Sequence, residues 1–382
     1  MLQFLRPSAG PVAMLLFAAT AVAAPPAPSA PAFTNLAAPL DLWTTGELAY
    51  RIPAVCRYDD GSDHGLLLAA CEERATLSDS GEIRSVLRTS ADGGATWSPS
   101  KVTAENGDGT AGNPVFLPDP PRGVVHLIYT TSGATDHERR VLSGEAPPRR
   151  TFYTRLTIDG MTWAPPREIS EEVRADDWRW YATGPGSAGV VLPSGRLVVS
   201  ANHSDPANGS PGYQAHVIYS DDGGATWSRT APIGPNGANE TTLAVLPDGD
   251  LLMSIRDQSG GRRLFARSTD GGTTWPAEAA RSELDGPPCQ AGLAVAGGRV
   301  LLSLIPDPGP RRGLSVFSAP VGSLAGKDDS LPRWDRRSVV AAGPSAYSAL
   351  VDLGGGRVGL LYEAGDKSPY DAVRWTTFQV AD

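Results

Sequence analysis

Three arginines stand where an apolar run meets polar residues: Arg51 in YRIPAV, Arg256 in SIRDQ and Arg311 in IPDPGPRRGLSV. Carboxylates occupy the same kind of position. Glu72, Glu73 and Asp79 lie in CEERATLSDSGE, Glu240 in NGANETT and Glu363 in LYEAGD, while Tyr347 precedes an apolar run in SAYSAL. Alone, each reads first as a surface charge or an ion pair between strands. As a set they suit a ligand that carries a carboxylate, because Arg offers that group a planar, permanently charged, bidentate match. The chain has 33 Lys and Arg against 42 Asp and Glu, a net charge of −9. That balance argues against a general affinity for nucleic acid or anionic membranes, so an anionic ligand needs a local cluster of cations.

The elements that must position these residues are strands. Helical periodicity is nearly absent, and 43 Gly and 34 Pro in 382 residues suit strands joined by tight turns. Six times an apolar strand, a Gly-bearing turn and a second apolar strand follow one another, beginning at Ala54, Pro114, Gly189, Leu243, Leu293 and Ala349. The spacing of these hairpins leaves room for one four-stranded unit each. The expected fold is all-β, a six-bladed β-propeller of four-stranded antiparallel blades.

A second motif recurs: SADGGATWS from Ser90, SDDGGATWS from Ser220 and STDGGTTWP from Ser268, with a shortened TIDGMTW from Thr157. Each follows an apolar strand and ends in a Trp, which places it at the turn between the third and fourth strands of a blade. A catalytic residue gains nothing from duplication around a ring, so these motifs read as structural staples. In an up-and-down blade the staples and hairpin turns share one face. The residues flanking the hairpins, which include the arginines and carboxylates above, converge on the other.

With YRIP, the repeated Asp motifs, NE sixteen residues before Arg256, AYS and LYE in this order, the chain resembles the bacterial and animal exo-α-sialidases (neuraminidases) from Leu42 to about Val380. The resemblance implies hydrolysis of terminal α-linked sialic acids on glycoproteins, glycolipids or oligosaccharides, with no cofactor. It implies that Arg51, Arg256 and Arg311 clamp the sugar carboxylate, with Arg312 the alternative to Arg311. It also implies Tyr347 as nucleophile, Glu240 as its base, Asp79 as acid/base, Glu363 orienting Arg51 and Arg74 contacting the sugar ring. WRWYATGPG resembles the family's aromatic pocket segment, making Trp180 and Tyr181 candidates for lining the site or for ordinary core packing. The chain departs from the common pattern at Ala349, where many relatives carry Asp, and at Ser187, where His is frequent.

Residues 1–24 read as an export signal and 25–34 as a Pro/Ala-rich linker, leaving 35–382 as the catalytic domain of a secreted or periplasmic monomer. The apolar stretch is too short to be a comfortable membrane span. Cys56, Cys71 and Cys289 form no metal-ligand pattern, and no metal site is expected; Cys56 and Cys71 could be bridged if their strands pair, or remain free thiols. Gly184, Gly186 and Gly189 spell GxGxxG but precede a strand, which removes the dinucleotide reading. A trans-sialidase or a non-catalytic sialic-acid-binding propeller are the alternatives.

Overall fold

The computed structural model describes residues 30–186, 189–209, 212–324 and 331–381. The proposed signal and most of the proposed linker, like Ser187, lie outside the described residues. Strands dominate, and the only α-helices among the described residues are the short segments Glu138–Ser143 and Ser170–Val173.

All six expected hairpins form. Their strands lengthen into antiparallel runs, as in Ala49–Tyr58, Leu66–Arg74, Ile83–Ser90 and Lys101–Ala104, where consecutive strands pair. The fourth run, Ala238–Val245, Leu251–Asp257, Leu264–Ser268 and Ala280–Arg281, stands as a sheet of its own. Elsewhere neighbouring runs merge. Ile83 pairs in parallel with Thr110 and joins the first run to the second in a nine-stranded sheet. Strand Arg336–Gly354 is 19 residues long; its first part pairs with Arg312–Pro320 and its second with Arg357–Ala364, joining the fifth run to the sixth. Among the described residues four sheets result in place of six separate ones.

The chain's start is tied to its end. Leu40–Thr44 pairs with Ala372–Val380, as does Phe33–Thr34. Ala32 and Phe33 are buried, with the Phe33 ring stacked on Phe378 at 4.6 Å between centroids. The expected linker therefore ends earlier than residue 34, because an aromatic side chain at Phe33 has a buried partner to pack against.

Cys56 and Cys71 are free. Their strands pair, but Cys56 sits opposite Leu68, three residues short of Cys71. The two thiols also face different cores: Cys56 packs with Tyr58 and Leu68, and Cys71 with Val55 and Leu67. Side chains alternate across a sheet, and an odd separation from the paired position puts the two sulfurs on opposite faces.

The Asp motifs sit at the expected turns and repeat one hydrogen-bond pattern. The Ser90 hydroxyl donates to Asp92 at 2.8 Å and accepts from Gly94 N at 2.9 Å, while Asp92 accepts from Thr96 N and Thr96 Oγ1. Ser220, Asp222, Gly224 and Thr226 repeat it, as do Ser268, Asp270, Gly272 and Thr274. The second Gly must lack a side chain for contact across runs. A Cβ on Gly94 would lie 2.2 Å from the Trp375 ring nitrogen, and one on Gly224 would lie 2.4 Å from the Tyr153 hydroxyl.

Candidate active site

At the face away from these turns, a polar cavity of about 170 Å³ is lined by Arg51, Arg74, Asp79, Glu240, Arg256, Arg311 and Tyr347 among others. Its walls are built by a backbone device used twice. Strand Ala49–Tyr58 bulges between Arg51 and Ala54, and Ile52 there takes φ +58°, a costly conformation for a β-branched residue. Glu363, fully buried on the next run, holds it: Oε1 accepts from Ile52 N at 2.8 Å and from Arg51 Nε at 3.3 Å. Its Oε2 accepts from Tyr347 N at 3.1 Å. One carboxylate thus positions both Arg51 and Tyr347.

The second copy lies one run further on. Strand Thr110–Asp119 bulges between Gly112 and Val115, and Asn113 takes φ +53°. Glu72 Oε1 accepts from Asn113 N at 2.7 Å, while Glu72 Oε2 accepts from Arg74 Nε at 2.9 Å. Arg74 in turn donates to Ser78 O at 3.0 Å and to Asp79 Oδ1 at 2.6 Å, fixing the loop that carries Asp79.

Tyr347 stands among the three arginines. Its hydroxyl donates to Glu240 Oε1 at 2.5 Å and accepts from Arg256 Nη1 at 3.1 Å; Arg256 Nη1 also reaches Glu240 Oε2 at 2.6 Å. The Arg51 and Arg311 guanidinium carbons lie 5.2 and 5.4 Å from the Tyr347 ring centroid. Burial, and after it Glu240, pushes the Tyr347 phenol well above its ordinary range, with Arg256, Arg51 and Arg311 pulling the other way. Burial also opposes the charges on Arg51 and Arg256, but their partners together outweigh it, led by Glu363 for Arg51 and by Glu240 for Arg256, and hold both above the usual arginine value.

Arg311 donates to the Tyr370 hydroxyl at 3.1 Å and to Pro288 O at 2.9 Å, whereas Arg312 is exposed and does not line the cavity. Of the two, the structure places Arg311 at the site. Asp79 Oδ1 accepts from Arg51 Nη1 at 3.3 Å as well as from Arg74, though its side chain is 71% exposed. Crowding by the surrounding protein opposes its ionisation, and Arg74 and Arg51 outweigh that and hold its carboxyl below the usual range.

Trp180 lines the cavity; Tyr181 does not. Strand alternation turns Tyr181 the other way, into a core with Trp178 and His216, where it is fully buried. Of the two aromatic candidates, Tyr181 belongs to the core. The sequence reading missed Arg149, Asn113, Glu138 and Tyr370. Arg149 lines the cavity, stacks its guanidinium over Trp180 at 4.5 Å and donates to Asn113 Oδ1 at 3.2 Å. Burial pushes it down to about 10. Asn113 was open to detection, since GNPVF repeats the bulge-and-proline arrangement of RIPAV; Arg149 and Tyr370 arrive from loops that carry no such pattern.

Among the described residues, no group of three or more His, Cys, Asp or Glu could hold a metal ion, and no helix is long and apolar enough to cross a membrane. Residues 65–360 match the family model of the BNR repeat-like domain. The chain is 29% identical to an exo-alpha-sialidase of Aspergillus fumigatus over 91% of its own length and 88% of the relative's. It is 28% identical to human sialidase-4, with 88% and 91% covered. Identity to a Micromonospora viridifaciens sialidase is 30% over 87% of the chain, which spans about half (52%) of that relative. Among solved structures, a Hadza microbial sialidase superposes with a TM-score of 0.72 at 24% identity, covering 87% of this chain and 66% of that one. The intramolecular trans-sialidase of Ruminococcus gnavus gives a TM-score of 0.72 at 17% identity, with 92% and 98% covered.

Proposed function

The chain belongs to the sialidase family and is a glycoside hydrolase of the exo-α-sialidase type; from that premise we propose that it cleaves terminal α-linked sialic acids from glycoproteins, glycolipids or oligosaccharides with retention, through a covalent bond to Tyr347. The observation that carries this reading is the Tyr347 hydroxyl, hydrogen-bonded to Glu240 at 2.5 Å and ringed by Arg51, Arg256 and Arg311. A sialic acid bears its carboxylate on the anomeric carbon. A carboxylate nucleophile would meet that anion with its own charge, whereas a phenol does not, and sialidases are the known Tyr exception to the two-carboxylate scheme.

In the first displacement the Tyr347 oxygen bonds the anomeric carbon and its proton passes to Glu240. The bond to the aglycone breaks, and Asp79 protonates the departing oxygen. In the second, water gives its proton to Asp79 and attacks the same carbon; the bond to Tyr347 breaks and Glu240 returns the proton. Arg51, Arg256 and Arg311 hold the substrate carboxylate. By engaging Arg51, that carboxylate weakens one of the cations that keep Asp79 ionised, which favours the protonated acid the first step needs. Arg149, Asn113 and Trp180 face ring substituents away from the carboxylate.

The fold reading that goes with this function is a six-bladed propeller. It is supported by a cavity whose lining draws on all six runs, with Val55, Pro118, Val190, Val245, Val295 and Val351 among its residues. A secreted or periplasmic monomer remains the proposed state. A purely sialic-acid-binding propeller would have no use for a phenol paired with a carboxylate at the centre of its cation cluster. Proton NMR of a sialoside digest tests the mechanism: the α-anomer of free sialic acid appears first and then mutarotates, and a β-anomer first would exclude two displacements. A lactose acceptor in the same digest separates hydrolysis from transfer.

A further inference from the structure

Behind Arg256 lies a second, smaller cavity, of about 20 Å³, lined by Arg256, Arg263, Cys289, Pro287 and Ile305 among others. That is room for about one water-sized occupant. Arg263 is buried, 6% exposed, and spends two of its nitrogens on protein: Nε donates to Ser254 Oγ at 2.8 Å and Nη1 to Cys289 O at 2.8 Å. Its Nη2 has no partner among the described residues, and neither has the buried Nε of Arg256. No carboxylate among the described residues hydrogen-bonds Arg263; Asp257, on the same cavity, is engaged by Arg281 at 2.6 Å and by Ser259, and Asp285 is exposed.

Two guanidinium groups thus line one small space, and each keeps one buried donor unused. Both are donors only and both stay charged, so they repel each other and neither can satisfy the other. A water molecule there would accept from both but would still need acceptors for its own hydrogens. A monatomic anion accepts from both and offsets the repulsion. We propose that this cavity is a binding site for one small inorganic anion, chloride under physiological conditions, held between Arg263 Nη2 and Arg256 Nε. The anion supports Arg256 from behind while Nη1 of the same guanidinium faces Glu240 and Tyr347. Sulfate is too large for the space, and organic anions such as gluconate more so.

Crystals of the full chain grown or soaked in bromide, with data at the bromine absorption edge, test this without any substitution. An anomalous peak within contact of Arg263 Nη2 and Arg256 Nε is expected; its absence overturns the proposal. In solution, the melting temperature in sodium chloride should exceed that in sodium gluconate at equal ionic strength and should saturate with chloride. Arg263→Gln should abolish the difference. A wild-type melting temperature indifferent to the exchange also overturns the site, and that arm stands even where the variant fails to fold. Neither readout depends on turnover.

Discussion

The turn motifs and the cation-lined cavity are both polar, both built from short sequence signatures, and they solve opposite problems. In each staple the Ser hydroxyl, the Asp carboxylate and the turn N–H groups satisfy one another within a few residues, as those of Ser220, Asp222, Gly224 and Thr226 do. At the cavity the partners come from distant parts of the chain: Tyr347 meets Glu240 across 107 positions and Arg51 meets Glu363 across 312. There, buried donors are also left over, among them Arg51 Nη2. A polar group satisfied locally holds a turn; one held in place by distant partners with a donor to spare is poised for a ligand.

The widest separation between the two regions should come from Tyr347→Phe. The ring still packs between Arg51 and Arg311, so stability and analogue binding should persist within about tenfold, while turnover falls by roughly three orders of magnitude or more. Steady-state kinetics beside calorimetric binding of a sialic acid analogue measures both. Near-normal turnover would place the chemistry elsewhere.

Trp227→Ala is the converse experiment. Its ring is buried against Tyr153, 5.6 Å between centroids, so the substitution should lower unfolding free energy by about 3–5 kcal/mol. Turnover per folded molecule should stay near wild type. A stable variant without turnover would erase the distinction between staple and site.

Arg256→Ala should act on binding first, weakening analogue affinity by roughly 10- to 100-fold through loss of a charge-assisted partner. Melting temperature should change less than for Trp227→Ala. Equal losses in both would mean that Arg256 is chiefly structural.

A smaller effect sharpens the comparison from a third place. His203 and His216 are fully buried with Nδ1 atoms 3.0 Å apart, and both Nε2 atoms lack partners among the described residues. Burial pushes His203 down to about 3 and His216 well below its usual range. Both are therefore neutral when folded and take up protons on unfolding below about 6.5. Their contribution is complete above that pH and is lost as pH falls toward 3, by roughly 1.4 kcal/mol per unit and per histidine. The staple carboxylate of Asp222, drawn down to about 2 by Thr226, first through its backbone N–H and then its hydroxyl, keeps its bonds throughout that window. Chemical denaturation between pH 7 and 4 should show the decline, and His216→Asn should reduce it; a flat profile would contradict it.

Local signals made the hairpins and staples legible, because strand alternation and turn chemistry are written in consecutive residues. The site was legible where a residue flanks such a hairpin, as Arg51, Glu240, Arg256, Tyr347 and Glu363 do. Arg149 and Tyr370 were not, since only folding brings their loops to the cavity. Tyr181 shows a finer limit. One position along a strand separates a residue lining the cavity from one in the core, and composition does not reveal which face Trp180 takes. The choice between a Cys56–Cys71 bridge and two free thiols stayed open in the sequence for the same reason, since pairing of two strands leaves register and face undecided.

The most direct test of the account traps the covalent intermediate. A sialosyl fluoride bearing an electron-withdrawing fluorine beside the anomeric carbon should label the wild-type protein once, and peptide mass mapping should put the sugar on the Tyr347 oxygen. Label on Glu240, Asp79 or any other side chain, or turnover of the reagent with no labelled species accumulating, would contradict Tyr347 as the nucleophile.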